Sequence, residues 1–122
     1  MKIVNGKPFA SEQQILNSII DFLSFQNVPF AHVRNTGSIA RKGENVFFAK
    51  PRNCQKGVSD IIACYRGYPV AIEVKTEKAK LSEDQSAWLS KWGKNGGDVI
   101  VARSLDDVVE YFKRPSKYVT RT

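Results

Sequence analysis

Ser59-Asp60-Ile61-Ile62-Ala63-Cys64-Tyr65-Arg66-Gly67-Tyr68-Pro69-Val70-Ala71-Ile72-Glu73-Val74-Lys75 reads as two adjacent apolar strands and the turn between them. The runs Ser59 to Tyr65 and Val70 to Lys75 are strand-like, and Arg66-Gly67-Tyr68-Pro69 is expected to form the hairpin turn. Period-two alternation puts Val70, Ile72 and Val74 on one face, and Ala71, Glu73 and Lys75 on the other. In a tight register Asp60, at the far end of its strand, lies close to Glu73 and Lys75.

Charged groups inside core-like strands call for an explanation. An exposed acid and lysine on one sheet face can be an ion pair worth about 0–1 kcal/mol, and Asp60 alone can be a turn residue. Taken together, the three fit phosphodiester hydrolysis. That reaction needs charge neutralised at the phosphate, a deprotonated water and a stabilised leaving oxygen. Mg2+, with Mn2+ as a substitute, meets most of these needs when one or two carboxylates hold it. Asp60 and Glu73 are the expected ligands, the backbone carbonyl of Val74 is a candidate third oxygen, and Lys75 would contact the attacking water or the phosphate.

Working outward, Ser11 with Gln14 three residues on is a capping box opening a helix over about 12–26, with an Ile15, Leu16, Ile19, Ile20, Leu23 stripe. Residues 1–10 read as a short lead-in, and Phe30 to Arg34 as a strand. Residues 35–57 read as an irregular arm, with a short strand at Val46 to Ala49. Arg34, Arg41, Lys42, Lys50, Arg52 and Lys56 lie in or beside it against one acid, Glu44. With Asn35 and Thr36 at its turn they suit a surface that tracks phosphates, although a solvated loop has a similar composition. Ser82 and Gln85 repeat the capping box before a helix whose apolar side is Trp88, Leu89 and Trp92. Asn95-Gly96-Gly97 stops that helix. Asp98 to Ala102 is a buried-type strand, and Leu105, Val108, Val109 and Phe112 mark a last helix ended by Pro115. The order predicts one mixed α/β domain over residues 1–115, a central sheet flanked by helices, with a basic, mobile tail at 116–122. Glu12 in a first helical turn complements the dipole in any case, and Gln85 has a role simply as a cap.

Composition narrows the partner. The 122 residues suffice for one domain with a real core. Nineteen Lys and Arg against 12 Asp and Glu give a net charge of +7, which favours nucleic acid or an anionic membrane surface. No apolar run approaches the roughly 20 residues of a membrane span, and no signal peptide is read at the N-terminus. Nucleic acid therefore gains, with no membrane partner and an intracellular location expected. Cys54 and Cys64 with the lone His32 cannot complete a four-ligand zinc site. They read as two reduced thiols, one in a loop and one packed in a strand. His32 reads as a half-buried or nucleic-acid-facing side chain.

Ser11-Glu12, Arg34-Asn35-Thr36-Gly37, Lys56-Gly57-Val58-Ser59-Asp60, Ile72-Glu73-Val74-Lys75 and Leu81-Ser82-Glu83-Asp84-Gln85 occur in this order. Together they resemble the VRR-NUC family, within the restriction-endonuclease-like PD-(D/E)XK superfamily, over roughly residues 8 to 112. The resemblance implies a restriction-endonuclease-like fold and an active site of Glu12, Asp60, Glu73, Lys75 and Gln85. Ser59 stands where the superfamily's name has proline, as is usual in this family. Small stand-alone members resemble phage-encoded proteins, and several are similar to homodimeric Holliday-junction resolvases. The expectation is a Mg2+- or Mn2+-dependent endonuclease acting on branched DNA as a homodimer, with no small-molecule cofactor, in the cytoplasm of a bacterial host if phage-encoded. A nuclease acting on flaps, nicks or duplex, and a non-catalytic DNA-binding accessory module, are the alternatives.

Overall fold

Glu73 and its neighbours sit on the second strand from one edge of a four-stranded sheet, in a computed structural model that describes the backbone of residues 3–4, 7–8, 10–33, 38–43, 45–49 and 55–113. Side chains are described over 10–33, 43 and 55–113. The elements run β1 (Ile3–Val4), β2 (Lys7–Pro8), α1 (Glu12–Phe25), β3 (Phe30–His32), β4 (Ser38–Lys42), β5 (Asn45–Ala49), β6 (Ile61–Tyr65), β7 (Tyr68–Val74), α2 (Glu83–Lys94), β8 (Asp98–Ala102) and α3 (Leu105–Lys113). The main sheet has the order β3-β6-β7-β8. Its first three strands are antiparallel, and β7 and β8 are parallel, joined by the crossover through α2. This mixed α/β architecture is restriction-endonuclease-like.

Local chemistry explains the element ends. The Ser11 hydroxyl accepts the Gln14 N–H at 3.1 Å, and the Gln14 side chain accepts the Ser11 N–H at 2.8 Å, so two otherwise orphaned donors are satisfied at the start of α1. Asn27, at φ 58°, turns the chain left-handed after the helix, and Pro29 blocks its continuation. The apolar stripe Ile15, Leu16, Ile19 and Leu23 is buried as its spacing predicts. It packs with Ile61, Val70, Ile72, Val74, Ile100, Val108 and Tyr111 into one core. Burying a side chain such as Ile19 or Leu23 contributes about 1.5–3 kcal/mol. Helices α1 and α3 thus cover the face that Val70, Ile72 and Val74 share.

Three local expectations change. Tyr65 pairs with Tyr68, so the turn is the two residues Arg66 and Gly67, at φ 50° and 87°. That left-handed pair follows the twist of a tight hairpin, and Tyr68 and Pro69 belong to β7 rather than to the turn. Cys64 is exposed, not packed, because the inward face of β6 is taken by Ile61 and Ala63; Cys54 lies outside the described residues. The strand expected at Val46 to Ala49 is present as β5, and what the arm adds is β4, which pairs with it antiparallel from Ser38 opposite Ala49 to Lys42 opposite Asn45. The lead-in likewise contains the short β1–β2 pair. Ser38 to Lys42 and the lead-in have few apolar residues in strict alternation, the cue on which strands are read from sequence. Among the described residues no helix is long and apolar enough to cross a membrane.

Candidate active site

The hairpin register builds the site. Ile61 opposite Ile72 sets Asp60, one residue outside β6, beside Glu73. Asp60 does not project freely: its Oδ2 accepts the backbone N–H of Val74 at 2.7 Å, where the strand ladder has ended. The side chain thereby replaces a missing main-chain partner and is locked across the mouth of β7.

Glu73 is 2% exposed, an unusual burial for a carboxylate. Its Oε1 accepts the side-chain N–H of Gln85 at 3.3 Å, and its buried Oε2 meets no hydrogen-bond donor among the described residues. Burial pushes its pKa from 4.5 up to about 8. The negative charge of Asp60, a hydrogen bond shared with that carboxylate and the more remote Glu12 push the same way, and Lys75 pulls against them. Burial and the neighbouring Asp60 charge thus favour the neutral form of Glu73, and a cation bound beside it would reverse that preference. Hard divalent cations take oxygen ligands, and Asp60 with the orphaned Oε2 of Glu73 supplies two such groups. Among the described residues no three His, Cys, Asp or Glu side chains converge to ligate an ion. A cation here would complete its shell from backbone oxygen, water or substrate.

Lys75 is half-buried, with its N–H bonded to the Ala102 carbonyl at 3.0 Å. Its charge is felt at Glu73, but among the described residues no carboxylate lies within 4.0 Å of its ammonium. It is not consumed in an ion pair. Glu12 is exposed at the first turn of α1, near enough for its charge to reach Glu73. Gln85 resolves the choice between cap and site by doing both. Its Oε1 accepts the Ser82 N–H at 2.9 Å and its Nε2 donates to Glu73.

Gly57 has a role that spacing alone did not reveal. It sits at φ 77°, and a Cβ there would fall 2.2 Å from the Asp84 carbonyl oxygen and 2.6 Å from the Gln85 nitrogen. The loop before Asp60 therefore lies directly on the first turn of α2. Two residues earlier, the Gln55 side chain accepts the Trp88 indole N–H at 2.9 Å. Together these contacts fix the turn that carries Gln85.

A cleft of about 690 Å3 opens at this end of the sheet, lined by Gln13, His32, Gly57, Asp60, Glu73 and Gln85 among others. Sequence reasoning did not single out Gln13, and no motif marks it; only its place beside Glu12 on α1 could have suggested it. His32 is exposed on the cleft wall rather than half-buried. Lys56 is exposed at the rim, next to Gly57. Arg41 and Lys42 are placed in β4 by their backbone, with their side chains outside the description. Arg34, Asn35, Thr36, Lys50 and Arg52 lie outside the described residues.

Two acids, one of them buried, a nearby lysine with no carboxylate within 4.0 Å among the described residues, and an amide that orients the buried acid can bind a cation and act on a phosphate ester. The family model described as the VRR-NUC domain matches residues 10–106. No curated protein and no solved structure matches the chain.

Proposed function

The chain belongs to the VRR-NUC family, nucleases that act on DNA, and from that premise we propose that it is a divalent-metal-dependent endonuclease selective for branched DNA. The observation that carries the metal is the buried Glu73 carboxylate, short of a hydrogen-bond donor and pressed against Asp60. Asp60 and Glu73 are the ligands in this reading, with the Val74 carbonyl beside them. A Mg2+ or Mn2+ ion held there would supply charge neutralisation at the scissile phosphate and a more acidic water. Gln85 holds the Glu73 carboxylate so that its free oxygen faces the cleft. Lys75, with no carboxylate within 4.0 Å among the described residues, orients the water or steadies the phosphate. Glu12 adds negative charge at the edge of the site and helps retain the cation.

The basic arm, through Arg34, Asn35, Thr36, Arg41, Lys42, Lys50, Arg52 and Lys56, tracks the DNA backbone in this account. The net charge of +7 supports such a role. One chain carries one such site, and paired cuts across a four-way junction need two, which a C2 homodimer supplies. Residues 1–115 form the nuclease domain and 116–122 a basic tail; the protein works inside a cell, in a bacterial host if it is phage-encoded. No small-molecule cofactor is invoked.

The test is a panel of labelled four-way junction, flap, duplex, single-stranded DNA and RNA with Mg2+, with the oligomeric state measured alongside. Preferential, symmetric cutting of the junction by a dimer supports the proposal. Equal cutting of plain duplex by a monomer would remove branch selectivity and leave a general nuclease.

A further inference from the structure

Arg103 holds the connector between β7 and α2 in a way that neither the hairpin nor the cleft requires. Its Nη1 lies 2.8 Å from the carbonyl oxygen of Thr76, 3.3 Å from that of Glu77 and 2.6 Å from that of Ala79. The Ala79 N–H closes the turn on the Thr76 carbonyl at 3.1 Å. Arg103 is itself anchored, its N–H bonded to Asp107 Oδ2 at 2.8 Å. A guanidinium that binds backbone carbonyls fixes the shape of a segment independently of its side chains.

The segment so fixed starts directly after Lys75 and ends at Ser82, which lines the cleft. It carries Lys78 and Lys80, both exposed, and among the described residues neither joins a carboxylate within 4.0 Å. Glu77 is the one acid in the connector. The arrangement is a short, preshaped turn that carries two exposed lysines between Lys75 and Ser82, the latter a residue of the cleft wall.

We propose that residues 76–81 form a second phosphate-contacting rim of the cleft, in which Lys78 and Lys80 bind the nucleic-acid backbone and Arg103 is their positioning residue. The inference rests on the nuclease reading for its ligand, but it concerns binding alone. A floor of carboxylates repels the polyanion, and cationic rims offset that repulsion. Lys56 stands ahead of Asp60, and the connector lies beyond Glu73.

The experiment measures DNA affinity by fluorescence anisotropy as a function of salt, without divalent metal, so that no cleavage occurs. Each phosphate contact contributes about 0.9 to the slope of log K against log salt on duplex DNA. The variant Lys78→Ala/Lys80→Ala should lower the slope by about two such contacts. Arg103→Ala should weaken binding in the wild-type background and have no further effect on the slope when both lysines are absent. A wild-type slope in the double-lysine variant would overturn the rim. An additional, independent loss of slope from Arg103→Ala would make Arg103 a direct phosphate contact and overturn its positioning role. If Arg103→Ala does not fold, the lysine variant, altered at exposed positions only, still decides the rim. Salt-independent or absent binding by the wild-type protein would instead strike the nuclease reading itself.

Discussion

Replacing Glu73 by Gln tests the buried proton quantitatively. In the metal-free protein this carboxyl titrates near 8, against 4.5 when unperturbed, mainly because it is buried. The folded state thus holds a proton that the unfolded chain releases. Stability from this group is fully present below the unfolded value and falls as pH rises towards 8. The slope approaches at most about 1.4 kcal/mol per pH unit between the two values. Gln keeps a polar group opposite Gln85 and has nothing to titrate. Urea denaturation from pH 5 to 8 should show the wild type losing stability relative to Glu73→Gln, and the variant the more stable of the two at the alkaline end. Cation binding must also expel the proton. Calorimetry of Mg2+ or Mn2+ binding in buffers of different ionisation enthalpy should show proton release on binding at pH 7, and less of it at pH 9. Parallel pH profiles for the two proteins, together with no proton release, would refute the argument that burial beside Asp60 sets the state of Glu73.

Gly57→Ala should destabilise by more than about 1 kcal/mol, since φ 77° disfavours a side chain and the added carbon meets the Asp84 carbonyl; urea denaturation reads the loss, and Mg2+ affinity should fall with it because the first turn of α2 carries Gln85. Gln85→Ala should weaken Mg2+ binding and cleavage while costing about 1 kcal/mol of stability from the lost cap bond; Gln85→Glu, which adds a charge beside Glu73, should impair the metal-free fold more as pH rises. Leu23→Ala, in the core on the far side of the sheet, should cost about 2–5 kcal/mol and leave cleavage per folded molecule unchanged, measured by pairing denaturation with activity.

Much of this site is legible in the sequence because strands enforce side-chain alternation. Once Ile61-Ile62-Ala63 and Val70 to Val74 are read as a hairpin, Asp60 and Glu73 have to meet at its open end, and the pairing of Ile61 with Ile72 puts them there. Helix α1 was readable from its cap and four-residue stripe. The contacts made by backbone were not readable. Nothing in composition says that Asp60 accepts the Val74 N–H, that Gly57 lies against Asp84, or that Arg103 gathers three carbonyls. Such contacts depend on where loops approach helices, which no periodicity encodes. The width of the tight turn was misread because Arg66 is not a residue that favours φ 50°, and here its guanidinium lies 5.2 Å from the centroid of the Tyr65 ring.

Cleavage of a labelled four-way junction with Mg2+ by wild type and Asp60→Asn tests the central claim most directly. Asn retains an oxygen to accept the Val74 N–H, so the fold contact survives while the charge on the cation is lost. The account predicts that wild type cuts and that Asp60→Asn, equally folded, loses Mg2+ binding and cutting together. Undiminished cutting by Asp60→Asn would contradict it.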